Sequence, residues 1–247
     1  MRDSPTLAVL KRFRSLCTWW IAEPTLGHKE SLRRDDIELV LQMLPPSGRI
    51  LEIGAGTGWQ SRIFAGCGYD VEAIDIPTSE YKELRVWPIT DYDGRTIPFA
   101  DRSFDVVYSS CTLEHIPHAR AFQLEIRRIL RPGGRAIHVL PSSCWRFWTS
   151  LAHIVKCWTI PRPHGEHAKN VLLEMHYFGC RWWARLFQET GWDVLACQPN
   201  QLFHTGEAIL DSRLSVPNRR ILSRILGSSN NIFLLRERAR SSTRGEE

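Results

Sequence analysis

The chain has 247 residues, of which 43% are hydrophobic, and a formal net charge of +5. That length fits one large domain or one domain with appendages, and the hydrophobic content is enough for a sizeable core. Most of the excess charge lies after Arg213, which indicates a basic tail rather than a nucleic-acid-binding face. The seven cysteines include no Cys-x-x-Cys pair, which argues against a disulfide framework or zinc ribbon and favours a reducing, cytoplasmic compartment.

The N-terminal region is basic and helical in pattern. It lacks a clean apolar core, so no secretory signal is expected, and no uncharged run reaches the roughly 18 residues of a spanning helix. Residues 5–44 predict two helices, expected either to cap a ligand site or to pack on a sheet edge. Their apolar stripes are Leu7, Leu10, Phe13 and Leu16 to Trp20, then Ile37, Leu39, Val40, Leu41, Met43 and Leu44.

A glycine-rich turn follows the first predicted strand. Residues 50–58 read Ile-Leu-Glu-Ile-Gly-Ala-Gly-Thr-Gly, with glycines at 54, 56 and 58, and a helix-compatible segment runs from about Trp59 to Ala65. Glycines permit positive φ and a close approach of backbone to ligand, and a helix N-terminus offers unpaired N–H groups. In an open α/β sheet such a turn lies at the carboxyl end of its strand, where ligands bind.

Two acidic residues indicate which class of ligand binds at this turn. Glu52 lies inside the apolar strand, so a lysine or a ligand ammonium is expected near its carboxylate. A second predicted strand, within residues 68–75, ends at Asp75, which follows Gly58 by 17 residues. That is near the roughly 20-residue offset of a carboxylate that binds ribose hydroxyls. A dinucleotide fingerprint would need its third glycine three places after the second, where this chain has Trp59.

The next elements run from residue 91 to residue 141. The segment Ile-Pro-Phe-Ala-Asp-Arg-Ser-Phe-Asp-Val-Val leads through a predicted strand at 105–108 to Leu-Glu-His-Ile at 113–116. A predicted helix follows. It is expected to end at Arg131-Pro132-Gly133-Gly134, and a strand is predicted at 136–140. The apolar positions assigned to that helix are Ala121, Leu124, Ile126, Ile129 and Leu130.

These motifs, in this order across about residues 47–141, resemble the class I S-adenosylmethionine-dependent methyltransferases, in their small-molecule (type 11-like) branch. The resemblance is clearest in the acidic-x-Gly-x-Gly-x-Gly pattern at 52–58 and in the Leu-Arg-Pro-Gly-Gly turn at 130–134. The resemblance implies an α/β fold: a doubly wound, Rossmann-like, mostly parallel seven-stranded sheet with helices on both faces. It also implies S-adenosyl-L-methionine as the cofactor.

The resemblance further implies where that cofactor binds. Asp75 binds both ribose hydroxyls, Ile76 lies against the adenine, and Asp93 reaches the adenine amino group. Asp91 and Tyr92 remain alternatives for the adenine contact, and Asp93-Gly94 is also a strong turn signal. The predicted cofactor set is Glu52, Gly54, Ala55, Gly56, Gly58, Asp75, Ile76, Asp93 and Ser109.

Residues 141–163 are rich in aromatic side chains and depart from a minimal methyltransferase. Three interpretations stay open: a core helix on the sheet, a lid over an apolar acceptor, or a helix in a membrane interface. Apolar residues lie almost all round the predicted helix, with basic residues interspersed among them. The apolar residues are Trp145, Phe147, Trp148, Leu151, Ile154, Val155 and Trp158.

Three histidines are candidates for a catalytic base. His164 and His167 lie in a loop whose His-x-x-His spacing is not that of a helical zinc site, so no metal is expected. This loop is expected either to contact the acceptor or supply the base, or to be an ordinary polar loop. His115 closely follows the predicted strand at 105–108 and is the first candidate, with pinning of the helix that starts there as its alternative role. His164 and His167 are the rival bases.

The predicted organisation has five parts: a helical cap (1–47), the cofactor-binding core (48–141), an acceptor lid (142–180), completion of the sheet (181–238) and a disordered tail (239–247). The predicted function is methyl transfer to oxygen, nitrogen or carbon of a small-molecule or lipid- or sugar-linked acceptor. Peripheral membrane contact is expected, and nucleic acid is not. The alternatives are a non-catalytic cofactor-binding partner protein of the same fold and a nicotinamide-dependent oxidoreductase.

Overall fold

The computed structural model describes residues 21–22, 25–209 and 214–239. The first predicted helix and the C-terminal tail from residue 240 lie outside the described residues. The chain folds as two compact units. We call them the helical unit (residues up to 42, 141–179 and 199–231) and the sheet unit (43–140, 180–198 and from 232).

Nine strands and seven α-helices lie within the described residues. The strands are β1 (Ile21–Ala22), β2 (Arg49–Ile53), β3 (Asp70–Asp75), β4 (Thr90–Asp91), β5 (Phe104–Ser110), β6 (Leu130–Pro141), β7 (Trp192–Pro199), β8 (Ala208–Ile209) and β9 (Asn230–Glu237). The helices are α1 (Leu26–Leu41), α2 (Trp59–Gly66), α3 (Ala119–Ile129), α4 (Ser143–Cys157), α5 (Val171–Tyr177), α6 (Cys180–Glu189) and α7 (Val216–Leu226). Two short 3-10 turns occupy Lys82–Leu84 and Leu113–His115.

Seven strands form one sheet in the order β4-β3-β2-β5-β6-β9-β7. The pairs β2–β3, β2–β5, β3–β4 and β5–β6 are parallel. The predicted doubly wound α/β fold is therefore confirmed. Chain order reverses direction at β2, so the carboxyl ends of β2 and β5 flank the crevice where such sheets bind ligands.

The central strands are buried along almost their whole length, as parallel strands covered on both faces must be. Their side chains share one hydrophobic cluster with α3, α6 and β9. The glycine turn, α2 and the strands on either side of it form where the sequence predicts them. The last strand of the chain, β9, is also confirmed, and it lies between β6 and β7 in the sheet.

The apolar positions predicted for α3 are wrong at three residues, one of which, Leu130, is buried but begins β6. Ala121 and Leu124 are exposed, because the helix begins at Ala119 and its buried face follows from there. Spacings of three and four residues from that start keep one helix face on the core. The residues on the buried face are Ala119, Phe122, Gln123, Ile126 and Ile129.

The predicted stop at residues 131–134 is part of a strand. The helix ends at Ile129, β6 begins at Leu130, and the pairing shifts register between Phe104 opposite Leu130 and Val106 opposite Arg135. Gly133 takes a positive φ of 82° in this bulge. The Pro-Gly-Gly run therefore bends a strand that has already begun, instead of separating helix from strand.

In the helical unit, α1 partly matches its predicted stripe. Ile37 and Val40 are buried as predicted, but Leu32 and Asp36 are buried too, and Met43 and Leu44 lie beyond the helix end. A buried acid inside a helix face requires polar partners.

Among the described residues, no helix combines the length and apolar composition needed to cross a membrane.

Candidate active site

The parallel strands bring the predicted cofactor residues to one edge of the sheet. In the pairing, Ile53 at the end of β2 lies opposite Ile74 of β3 and Ser109 of β5. Asp75, the last residue of β3, lies opposite Asp91 at the end of β4. The glycine turn, the end of β3 and the segment after β4 therefore meet at the carboxyl edge, as the sequence predicts.

The glycine turn has a conformation that other residues rarely adopt. Gly54 and Gly58 have φ of 69° and 77°. A Cβ atom at Gly54 would lie 2.3 Å from Thr112 Oγ1, and one at Gly58 would lie 2.6 Å from Trp87 Cβ. The turn thus lacks room for side chains as well as requiring positive φ.

Asp75 holds the glycine turn through backbone hydrogen bonds. Gly56 N–H donates to its Oδ2 at 2.9 Å, and Ile76 N–H donates to its Oδ1 at 2.8 Å. A carboxylate offers about four lone-pair sites, so each oxygen keeps capacity for a further donor. Asp75 can therefore accept two ribose hydroxyls while it shapes the turn.

Glu52 is buried beneath the turn and bonded to α2. Its carboxylate accepts from Gln60 Nε2 at 3.1 Å and from Ser61 Oγ, and Tyr108 donates to Gln60 Oε1 at 2.9 Å. These neutral donors meet the need that predicted a lysine or a ligand ammonium. The role of Glu52 as a cofactor ligand stays a prediction.

Of the alternatives for the adenine contact, two have other partners. Asp91 pairs with Lys82 at 2.8 Å and with Arg85 at 2.7 Å, and these bonds lower its pKa. Tyr92 is buried against Phe122, and burial raises the pKa of its hydroxyl.

The third alternative, Asp93, is exposed. Its Oδ1 accepts from the N–H groups of Arg95 and Thr96 at 2.8 and 2.7 Å, and these bonds lower its pKa. The following Gly94 lies against Ile76, since a Cβ there would be 3.4 Å from Ile76 Cγ2. Asp93 keeps its place as the predicted adenine ligand.

Ser109 lies deeper than the other predicted cofactor residues. Its hydroxyl is fully buried and lies 2.8 Å from His138 Nδ1. Burial lowers the pKa of His138 to about 3, so this imidazole is neutral at physiological pH. Because its hydroxyl is already bonded, Ser109 can contact the cofactor only through its backbone. Its assignment as a cofactor-binding residue stays a prediction.

Two buried hydroxyls near the strand ends have no hydrogen-bond partner within the described chain. They belong to Thr57 in the glycine turn and to Ser110 at the end of β5. Buried polar groups are nearly always satisfied, so such atoms mark positions where a ligand or water completes the structure. The residues present therefore fit a nucleoside cofactor: a glycine cradle, a carboxylate with spare acceptor capacity and two unsatisfied hydroxyls.

The first candidate base, His115, ends the 3-10 turn after β5 in the sheet unit. Its ring is partly exposed, and its Nε2 lies 4.0 Å from Oε1 of the buried Glu114. Its backbone N–H donates to Thr112 O at 3.0 Å. The geometry is compatible with either the catalytic or the pinning role.

The second candidate, His164, packs between two aromatic rings of the helical unit. Its ring lies edge-to-face against Trp145 and Phe178, with centroids 4.9 and 6.4 Å away. The backbone N–H groups of His164 and Gly165 both donate to Glu174 Oε1 at 2.6 Å. His167, the third candidate, lies three residues further along and is half-buried.

A buried ion pair anchors the carboxylate that holds the His164 loop, and sequence reasoning missed this pair. Arg146 of α4 pairs with Glu174 of α5, and both side chains are almost fully buried. Arg146 also donates to Arg162 O at 2.6 Å. Burial lowers the pKa of Arg146, while the carboxylate opposes that change. Arg146 lies among the aromatic residues of α4, and Glu174 follows 28 positions later, but nothing in the sequence distinguishes Arg146 from the other basic residues of that helix.

A parallel sheet with a glycine turn after its central strand and a carboxylate closing the next strand defines a Rossmann-like methyltransferase fold. Residues 26–196 match the family described as "Methyltransferase domain". The chain therefore belongs to this family, and the resemblance drawn from its motifs is confirmed.

Curated relatives are similar over part of their length. The chain is 35% identical over 96 residues to a demethylmenaquinone methyltransferase of Renibacterium salmoninarum, covering 37% of this chain and 40% of that protein. It is 36% identical over 102 residues to a 2-methyl-6-phytyl-1,4-hydroquinone methyltransferase of Synechocystis, covering 38% and 32%. The chain thus spans less than half the length of these relatives.

The fold has close counterparts among solved structures. One is an S-adenosylmethionine-dependent methyltransferase of Mesorhizobium loti, with a TM-score of 0.57 over 82% of this chain and 98% of that one. The two sequences are 14% identical, so this likeness shows the fold alone.

Proposed function

We propose that this protein is an enzyme that transfers a methyl group from S-adenosylmethionine to a small-molecule acceptor. The observation that carries the proposal is Asp75, which closes β3 beside the glycine turn and retains acceptor capacity for ribose hydroxyls. Family membership and the glycine cradle support the same cofactor.

The residues of the chain have a positioning role in this reaction. When bound, S-adenosylmethionine supplies an electrophilic methyl group on a sulfonium that is already a good leaving group. Asp75 would hold the ribose, Ile76 would cover the adenine, and the glycine turn would let the backbone approach the cofactor closely. Catalysis then depends mainly on aligning donor and acceptor for in-line displacement.

We propose a lipid-linked aromatic acceptor of the hydroquinone class. The support is the names of the two curated relatives, one acting on a demethylmenaquinone and one on a hydroquinone. Removing the proton of a ring hydroxyl raises electron density on the ring, so a base assists methylation at oxygen or carbon. His164 is the base we favour, because a buried ion pair fixes its loop and two aromatic rings flank it.

We also propose peripheral membrane contact through one face of α4. Burial divides the helix: Trp145 and Ala152 are buried, whereas five apolar residues along it or at its C-cap are exposed. One of these is Val155, and the other four are spaced three or four positions apart, the last being the C-cap residue that follows the helix. We call these four the α4 stripe: Phe147, Leu151, Ile154 and Trp158, with 48, 42, 43 and 72% of their surface exposed. Neither a purely buried core helix nor an all-round apolar helix describes this division.

The neighbour of the stripe suits an anionic lipid surface. Trp148 Nε1 donates to Leu226 O at 2.9 Å, which places the end of α7 beside α4. Neither α4 nor α7 contains an acidic residue, and α7 exposes Ile221, Arg224 and Ile225. Apolar and aromatic side chains beside cations are typical of helices that lie in a membrane interface.

The test of the proposed reaction follows a labelled methyl group. The purified protein is incubated with methyl-labelled S-adenosylmethionine and a short-chain hydroquinone that lacks one ring methyl group, and the organic phase is analysed by mass spectrometry. We expect label on the hydroquinone with wild type and much less with Asp75→Ala. Cofactor binding without any transfer would favour the non-catalytic alternative, and binding of NAD in its place would favour an oxidoreductase.

A further inference from the structure

Two cysteines of the sheet unit bring their sulfur atoms together. Cys180 Sγ and Cys197 Sγ lie 2.8 Å apart, although the residues are separated by 17 positions in sequence. A disulfide bond is about 2.05 Å long, so only a small movement separates the two thiols from bonding distance. Cys180 is half-buried and Cys197 is exposed, so an oxidant can reach the pair from solvent.

The pair lies at the two ends of one inserted segment. The sheet unit includes residues 180–198 as a separate stretch of chain, which begins at Cys180. Cys180 is the first residue of α6, and Cys197 lies near the carboxyl end of β7, an edge strand of the sheet. A bond between them would close the helix–turn–strand segment where it enters and leaves the unit.

The surroundings of Cys180 favour its thiolate. The residue begins a helix, whose N-terminal N–H groups and dipole stabilise a negative charge. The Cys197 thiol beside it lowers the pKa of Cys180, and the same contact raises the pKa of Cys197. Cys180 is therefore the nucleophile of the pair, and Cys197 is the resolving thiol.

We propose that Cys180 and Cys197 form a reversible disulfide when the protein meets a peroxide-class oxidant. The Cys180 thiolate attacks a peroxide oxygen, the O–O bond breaks, and sulfenic acid and one water result once the thiol proton is counted. The Cys197 sulfur then attacks the Cys180 sulfur, the S–O bond breaks, and a second water leaves. Two thiols are oxidised, one hydrogen peroxide is reduced to two waters (an organic hydroperoxide would give an alcohol and one water), and a dithiol reductant reverses the change.

The closed segment contributes two tryptophans to the core of the sheet unit. Trp183 of α6 and Trp192 of β7 are both fully buried. A cross-link across this segment restricts the unfolded chain more than the folded one, so the oxidised protein should be the more stable form. This proposal is independent of the methyl-transfer reaction.

The test uses the full chain in two redox states. Protein treated with dithiothreitol or with dilute hydrogen peroxide is digested without reduction and mapped by mass spectrometry, and its thiols are counted. We expect the oxidised sample to contain a peptide linking Cys180 to Cys197 and two fewer thiols than the seven of the reduced chain. Its Tm should rise by about 5–10 °C.

Matched cysteine variants complete the experiment. Cys180→Ser and Cys197→Ser should each abolish the Tm increase, whereas Cys67→Ser, at an exposed cysteine of the same unit, should keep it. The proposal is overturned if oxidised wild type yields no 180–197 peptide. It is also overturned if Cys180→Ser and Cys197→Ser both keep the full shift. The peptide map needs only wild-type protein, so it stands even if a variant fails to fold.

Discussion

Asp75 combines a structural and a binding role, and substitutions can separate the two. Asp75→Ala removes the acceptor of the Gly56 and Ile76 N–H groups and both oxygens predicted to bind ribose. We expect calorimetry to show S-adenosylmethionine binding weakened by about 1–3 kcal/mol, the usual cost of leaving hydrogen-bond partners unpaired. Asp75→Asn keeps one oxygen and should fall between wild type and Asp75→Ala.

The control for Asp75 lies on the same strand. Asp70→Ala removes an exposed carboxylate at the opposite end of β3, where its partner is Arg49 at 3.2 Å. An exposed ion pair contributes little, so this variant should bind the cofactor like wild type. If Asp75→Ala binds as tightly as Asp70→Ala, then Asp75 is not part of the cofactor site.

The three candidate histidines can be separated by rate measurements. We expect His164→Ala to lose roughly two to four powers of ten in turnover while binding the cofactor normally, because a general base acts only in the chemical step. His115→Ala and His167→Ala serve as matched variants and should retain most activity. The measurement is turnover against pH with the labelled hydroquinone assay. Loss confined to His115→Ala would move the base to the sheet unit, and three unchanged profiles would mean that the acceptor needs no base.

Elements formed by neighbouring residues were predictable, and those that depend on distant partners were not. The strand, glycine turn and helix around residues 50–66 follow from local apolar runs and from glycines that alone fit their φ angles. The phase of α3 was wrong because Ala121 and Leu124 are apolar yet exposed, which pattern alone cannot detect. The Arg146–Glu174 pair was missed because it joins two helices through a loop of variable path.

The α4 stripe makes a prediction about lipid binding. The double variant Phe147→Ser/Trp158→Ser removes two exposed apolar side chains and leaves the buried Trp145 in place. We expect its partitioning onto vesicles that contain anionic lipid to fall about fivefold or more. Full burial of a large apolar side chain contributes about 1.5–3 kcal/mol, so partial insertion of two such side chains still contributes about 1 kcal/mol, which corresponds to about fivefold. Co-sedimentation with vesicles measures the effect.

Two comparisons make the lipid experiment specific. Leu124→Ser removes an exposed leucine from α3 in the sheet unit and should leave vesicle binding unchanged. Vesicles of neutral lipid should bind the wild type less than anionic ones, since the cations of α7 then gain no attraction. Wild type that ignores both vesicle types, or that self-associates through the stripe in sedimentation velocity, would contradict the membrane interpretation.

At the scale of the whole molecule, the order of the sheet and the contacts of the helical unit depend on pairs far apart in sequence. Asp36 illustrates this: its oxygens accept from Asn200 and Asn230, each at 2.8 Å, across 164 and 194 positions. Motif order predicted the sheet, because each strand–turn–helix repeat is local and the fold family supplies the arrangement. No local pattern predicts that an acid on α1 will meet two amides from the other end of the chain.

The buried Asp36 carboxyl group makes the stability of the protein depend on pH. Burial raises the pKa of Asp36 to about 6, against 3.8 for an unburied aspartate, although the two amides and Arg33 oppose the rise and Asp35 adds to it. Between about pH 4 and pH 6 the folded state therefore binds more protons than the unfolded state. The free energy of unfolding contributed by this group falls as pH rises through that window, by up to about 3 kcal/mol, and is constant above it.

Replacing the acid by an amide isolates this contribution. Asp36→Asn cannot titrate, and a rotated Asn230 amide can supply the acceptor that the new side-chain nitrogen needs. We expect the stability of wild type minus that of the variant, from urea unfolding at pH 4 to 7, to decrease with rising pH and level off above about pH 6. His138 acts in the opposite direction: its pKa of about 3 means that stability increases as pH rises toward 6.5. That contribution is common to both proteins and cancels in the difference, so a difference that is flat across the window would show that Asp36 is ionised throughout.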